Sequence, residues 1–275
     1  MRFVALLLTS AMLAACATSG GAPKEAASNA PAIDAKARAE VDRQDVLTRM
    51  TFWAKEVSLF PEDIVAARKF ATALREGGRH DRAAEFAEEA LSKHRGDQEL
   101  LHIMGVSLVA AGKPQEALRP LALVAQADAR NWRARSALGA ALDQLGRYEQ
   151  ARLAYQEALA IKPDAADVLT NLGVSYLIAA EPENAVRVLR QAAALPEAPV
   201  EARFNLSVAL ALSGNLDEAE RLQRIDLPPE MVASNMAYFR EVSEDPRRWN
   251  ELRPETAKEN APREQPAPGL RTSRP

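Results

Sequence analysis

The chain has 275 residues, 47% hydrophobic but only 5% aromatic, and its 38 acidic against 35 basic side chains give a net charge of −3. With no basic block it offers no electrostatic footprint for DNA or RNA. One cysteine leaves none for an intrachain disulfide or a thiolate metal site.

At the start, Arg2 is followed by the apolar run Phe3 to Leu13 and then by Ala14-Ala15-Cys16. A positive start, a short apolar core and small residues before a cut site predict a secretory signal peptide over residues 1–15. The run falls short of the ~20 residues that span a bilayer. Leu13-Ala14-Ala15-Cys16 resembles a bacterial lipobox. That resemblance implies diacylglycerol on the Cys16 thiol, cleavage after Ala15 and acylation of the new amino terminus. The chemistry agrees, because a thiol is the best nucleophile available and Cys16 is the only cysteine. Ala17, not an aspartate, follows it; the resemblance then implies an outer-membrane lipoprotein facing the periplasm. Residues 16–40, rich in Ala, Gly, Ser, Asn and Pro, are expected to be a lipidated flexible tether of roughly 25 Å root-mean-square reach.

Helical periodicity takes over from residue 41. Val46 to Phe60 is amphipathic, with Met50, Trp53 and Val57 on one face, and Pro61 stops it. It is expected to be the second helix of a half repeat that caps the fold over 41–63. Next, Ala83, Ala117, Ala151, Ala185 and Ala219 recur at intervals of 34 residues, and Ala71, Gly105, Gly139, Gly173 and Ser207 keep the same interval. Two phased series of small residues predict five helix pairs over 64–226. Glycine costs a helix roughly 1 kcal/mol relative to alanine, so its recurrence marks a close approach between helices, with Gly173 expected to face Ala185. Gly78, Gly112, Gly146 and Gly214 mark the turn inside four of the units. The fourth unit has Ala180 there and Pro182 just after, and its turn is expected to be the least regular. Pro228-Pro229 opens a closing helix over 227–243, with Met231, Met236 and Phe239 available to cover the last pair. The proline-rich, charged residues 244–275 are expected to form a disordered tail.

Phase, period and the Leu172-Gly173-x-x-Tyr176 pattern resemble the tetratricopeptide repeat (TPR) family. The resemblance implies an all-α solenoid of helix-turn-helix units, wound as a right-handed superhelix, whose first helices line a concave, protein-binding face. On that face fall Arg68, Lys69 and Arg75, then His102, Val106 and Val109, then Arg133, Ser136 and Asp143. Thr170, Asn171, Val174, Leu177, Ile178, Phe204, Asn205 and Val208 follow. Such a groove is basic at one end and apolar with amides at the other, which suits a peptide segment with one acidic and one apolar end. A second reading stands beside it, in which Val106, Val174 and Val208 pack first helices together and Arg68 and Lys69 are a solvated face. The carboxylate clamp of some family members is incomplete here, since Asn171 is present without its Lys and Arg companions.

Nothing in the chain points to catalysis. His-Glu-x-x-His, Gly-x-Ser-x-Gly and phosphate-binding glycine loops are all absent. His80 and His94 are expected to be solvated, and no second histidine is phased to join His102 around a metal. No cofactor, metal or small-molecule substrate is therefore expected. Lipobox, tether, five repeats, the closing helix with Asn235-Met-Ala-Tyr-Phe-Arg240 and the tail together resemble the TadD lipoproteins of tight-adherence (Flp) pilus assembly. That resemblance implies a non-enzymatic scaffold, with the pilus secretin or other secretion components as partners. The alternative is a periplasmic adaptor for peptidoglycan synthases or hydrolases, or another envelope-complex assembly factor.

Overall fold

The computed structural model describes residues 34–244. The expected signal peptide, cleavage after Ala15 and Cys16 anchor lie outside these residues, as do most of the tether and the tail. Among the described residues thirteen helices follow one another: α1 (Ala35–Val41), α2 (Val46–Leu59), α3 (Ile64–Glu76), α4 (His80–Lys93), α5 (Gln98–Ala110), α6 (Pro114–Ala127) and α7 (Trp132–Gln144). Then come α8 (Tyr148–Ile161), α9 (Ala166–Ile178), α10 (Pro182–Ala193), α11 (Val200–Leu212), α12 (Leu216–Asp226) and α13 (Pro229–Glu244). The first helices α3, α5, α7, α9 and α11 begin at 64, 98, 132, 166 and 200, and their partners at 80, 114, 148, 182 and 216. Both sets keep the 34-residue interval, and α2 begins 34 residues before α4. It is the second helix of an incomplete pair.

Each first helix packs on the second helix of its own pair and on that of the pair before. Successive first helices also touch one another, whereas successive second helices do not to a comparable extent. The array therefore bends around its first helices, which line the inside of an all-α, right-handed TPR solenoid.

Local chemistry sets the helix ends. Asp63, Asp97 and Asn131 cap α3, α5 and α7, their side chains accepting first-turn amides. Inside the pairs, Gly78, Gly112, Gly146 and Gly214 have φ between 70° and 80°, the left-handed conformation that closes a helix with a Schellman turn. Ala180 takes the same conformation, at φ 61°. Its N–H donates to the Leu177 carbonyl and that of Glu181 to the Tyr176 carbonyl, the pattern of Gly112 to Val109 and Lys113 to Leu108. The fourth turn is thus as regular as the others, contrary to expectation, because the packed helices impose a conformation that alanine resists. Ala180→Gly is accordingly expected to stabilise the protein by about 0.5–1 kcal/mol, relief of left-handed strain outweighing the entropy of a freer unfolded chain. An increase in the urea midpoint checks this; an unchanged or lower midpoint would show that Ala180 bears no strain.

The glycines make room for a different neighbour than expected. A Cβ on Gly173 would strike Leu189, not Ala185, and one on Gly105 would strike Leu121. On Gly139 it would lie 2.6–2.8 Å from ring atoms of Tyr155. Large side chains four residues beyond Ala117, Ala151 and Ala185 thus press into the glycine hollows, since positions four apart share a helix face. The terminal units fill the same contact differently. The first pairs Ala71 with Ala87, both fully buried. In the last, Gln223 Nε2 donates to Ser207 Oγ at 3.1 Å, and Asn235 of α13 donates to Gln223 Oε1 at 3.0 Å.

Both ends are closed. The tether expected to reach residue 40 ends earlier, because Asp34 caps α1 and Arg38 pairs with Glu56 and Asp63, each at 2.6 Å, lying 5.4 Å from the buried Trp53 ring. These contacts dock α1 onto the half repeat. At the other end Val232, Met236, Phe239 and Val242 of α13 are buried, while Met231 is 52% exposed. Val232 takes the covering role expected of Met231, since one residue turns the helix face by about 100°.

Candidate partner-binding surface

The inner wall divides the expected groove residues into those spent on the fold and those presented to solvent. Arg68 belongs to the fold. Its Nε donates to Asp97 Oδ1 at 3.1 Å, its Nη2 reaches the other oxygen of the same carboxylate, and Nη1 lies 3.3 Å from Glu99. Asp97 also caps α5, so one bidentate contact ties the first unit to the start of the second. Burial works against the Asp97 charge, but the bonds from Arg68 and the Leu100 amide hold its carboxyl below the usual range. Lys69 pairs with Asp42 at 2.6 Å, in the turn after α1. Thr170 is buried and its Oγ1 donates to the Ala166 carbonyl at 2.7 Å. These three lie in the expected groove but have internal partners, which residue type alone does not disclose.

The others remain available. Asn171 is exposed and Asn205 half-buried, and neither side-chain amide has a hydrogen-bond partner among the described residues. Val174, one turn beyond Asn171 on α9, is half-buried. Arg133 is exposed and stacks 4.4 Å from the Trp132 ring centroid. Of these, Arg133 with Trp132 lines a cleft of about 650 Å³ that Lys162, Asp164, Asp167 and Glu197 also border. Phe204, 43% exposed, lies at the end of the array in an apolar hollow of about 220 Å³ with Val200, Leu222 and Leu227. His102 is half-buried, and its Nε2 is shielded from solvent with no hydrogen-bond partner among the described residues. Burial first, then the charges of Arg75 and Arg133, lower its pKa and favour the neutral imidazole. His80 and His94 are half-buried, not fully solvated as expected.

Asp143 proves unlike the rest of the wall. It turns toward the joint between the third and fourth units, where Ser175 Oγ donates to Oδ1 at 2.7 Å and Tyr155 donates to Oδ2 at 3.0 Å. Burial pushes its carboxyl up to about 6, and these bonds, with Arg152 nearby, only partly offset that. The signal was present but unweighted, because the in-phase positions of three other units hold Val109, Leu177 and Ala211. A lone carboxylate in that column has to find partners.

Among the described residues no group of His, Cys, Asp and Glu side chains could hold a metal ion. No helix there is long and apolar enough to cross a membrane. The inner wall offers amides, apolar surface and separated cations, which suit binding a chain segment better than chemistry on one.

Comparison with known proteins agrees with this geometry. A family profile described as TPR repeat matches residues 139–177, and a second, described as tetratricopeptide repeat, matches 170–226. The search of curated proteins returned no match. Among solved structures, the chain is similar to TTC0263, a thermophilic TPR protein of Thermus thermophilus, at 23% identity and TM-score 0.54, over 63% of this chain and 96% of that one. It is also similar to a MamA fragment from Desulfovibrio magneticus, at 19% identity and TM-score 0.52, over 57% of this chain and 89% of the other. At these identities the structural likeness speaks to the fold alone. Period, helix phase and the two profile matches, which together span residues 139–226, show tetratricopeptide repeats in this chain, and such repeats support a generic role in protein–protein interaction.

Proposed function

We propose that the chain is a lipid-anchored scaffold of the bacterial outer membrane that serves tight-adherence (Flp) pilus assembly, as TadD lipoproteins do, by holding a segment of the secretin or of another secretion component. The observation that carries the binding part is the inner wall, where Asn171, Val174 and Asn205 remain accessible and the two amides have no partner within the described fold. Unengaged amides on adjacent first helices can donate to and accept from a peptide backbone, whose N–H and C=O groups need partners on leaving water. The envelope part rests on Cys16 and the residues before it. An anchor plus a groove raises the local concentration of a captured segment at the membrane without any new chemistry.

The test is to cross-link the protein in envelopes of its own host, isolate it gently and identify its companions by mass spectrometry. Enrichment of a secretin or other pilus-secretion proteins is the expected result, and loss of that enrichment with Asn171→Ala/Asn205→Ala assigns it to the groove. Peptidoglycan synthases or hydrolases, without secretion components, would overturn the pilus assignment in favour of an envelope adaptor. Globomycin treatment, or Cys16→Ser, tests the anchor separately, since a true lipoprotein then accumulates as the unprocessed form.

A further inference from the structure

We propose that the apolar hollow beside Phe204 seats one leucine or aromatic side chain of the captured segment, and that a lysine or arginine next to that side chain meets Glu201. This rests on the binding role proposed for the inner wall and adds the chemistry of its partner.

The hollow exists because the array stops out of phase. A sixth first helix would begin at 234, but α13 begins at 229 and packs with Leu206 and Leu210 of α11, leaving the start of α11 uncovered. In the two preceding units the positions in phase with Phe204 hold Thr170 and Ser136, both buried. In phase with Val200 the unit before has Ala166, also buried. At the open end these positions carry larger apolar side chains, and yet Val200 is 53% and Phe204 43% exposed. An end turned only to water would carry polar groups here. Instead Val200, Phe204, Leu222 and Leu227 line a hollow of about 220 Å³. A cavity of about 150 Å³ already holds a benzene ring, so this one has room for a leucine or an aromatic side chain.

Charge narrows the occupant. Arg203 and Asp226 border the hollow, but two bonds of 2.7 Å join them and balance their charges. Glu201 also lines it, is exposed, and has no ion pair among the described residues. Pro199, just before Val200, belongs to the cleft that Asp167 and Glu197 border, so cleft and hollow adjoin at the start of α11. Asp167 and Glu197 are exposed and likewise lack an ion pair among the described residues. Of the cleft's cations, Lys162 is held by Asp164 at 3.1 Å and Arg133 lies against the Trp132 ring. Three carboxylates without a counter-ion thus stand against one such cation. A basic residue beside the apolar anchor is their complement, and an acidic one would be repelled. Asn205, one turn beyond Glu201 on α11, can bond the backbone of the segment as it passes.

The experiment selects peptides from a random display library on the full chain without its signal peptide, carrying Cys16→Ser, and titrates them singly. They are expected to share a leucine, phenylalanine or tryptophan beside a lysine or arginine, and to weaken as salt is raised. Phe204→Ala and Glu201→Lys are each expected to weaken them about tenfold. Glu201→Lys changes an exposed charge and leaves packing alone, so it reads the site even where Phe204→Ala unsettles α11. Peptides that lack this pair of residues, or that ignore both variants, would overturn the proposal. If such peptides still respond to Asn171→Ala/Asn205→Ala, the groove stands without its anchor; if they ignore every inner-wall substitution, both readings fall. Self-association in sedimentation that Phe204→Ala abolishes would overturn it in favour of a second copy of the chain. Peptides captured only after deletion of residues 245–275 would give the hollow to the chain's own end instead. A selection that yields no peptide overturns it as well.

Discussion

Gly139→Ala is expected to destabilise the protein by about 2 kcal/mol, even though alanine favours the helix by up to about 1 kcal/mol. The added Cβ would sit 2.6–2.8 Å from three atoms of the Tyr155 ring. That ring has little room to yield, being 1% exposed with its hydroxyl held on Asp143 at 3.0 Å. Rotating an aromatic ring about its own axis does not withdraw it, so the α7–α8 pair has to part or the hydroxyl has to leave Asp143. Urea unfolding followed by circular dichroism reads the effect as a lower midpoint. Adding Tyr155→Ala is the decisive control, because the double variant recreates the Ala71–Ala87 pairing that the first unit already uses. The two changes are expected to couple, Gly139→Ala costing less once Tyr155 is gone. A midpoint that does not move with Gly139→Ala alone would show the ring to be loosely held and would undo the packing account.

Asp143 is expected to make stability fall as pH rises from about 5 to about 7. Burial holds its carboxyl at about 6 in the folded chain, against an ordinary value near 3.8. A folded-state pKa above the unfolded one means that the native state binds the proton more tightly. The contribution is complete below about 3.8 and is lost as pH rises through about 6. Linkage puts the whole window at about 3 kcal/mol, of which about 1.4 kcal/mol disappears between about pH 5 and about pH 8. His102 acts in the opposite sense across part of this range, because its neutral form is favoured by folding. The quantity to read is therefore the difference between the parent and Asp143→Asn at each pH. Asparagine can still accept from Ser175 and can donate to the Tyr155 oxygen, so it reproduces the protonated state without titrating. The variant is expected to gain on the parent as pH rises from about 5 through about 6 and to level off above about 7. A constant difference would mean that Asp143 does not titrate in this window.

The same two sites show how far the sequence could be read. Helix phase was legible residue by residue, because two series of small residues at a fixed interval leave few ways to stack helices. Each helix must bury a face, and only a constant repeat buries every face in turn. What the hollows receive was not legible. Gly173 with Ala185 and Gly173 with Leu189 are equally consistent with the spacing, and only the crossing of α9 and α10 selects Leu189. The groove followed the same rule. Its location came from which helix of each pair lines the inside, but Arg68, Lys69 and Thr170 proved to be engaged by Asp97, Asp42 and the Ala166 carbonyl. Of these, only Thr170 has its partner within its own helix turn; the other two partners lie 27 and 29 residues away.

The amino-acid sequence by itself therefore determined the period, the helix pairs and the glycine turns. All of these follow from local spacing repeated along the chain. Tertiary structure alone decided that Ala180 adopts the glycine conformation, that α1 docks through Arg38, and that Asp143 carries its charge reluctantly. It also decided that Arg68 is held by Asp97, whereas Arg133 has no ion-pair partner among the described residues. Each of these depends on which groups distant in sequence come within hydrogen-bonding or van der Waals reach, and that is set only when the units stack.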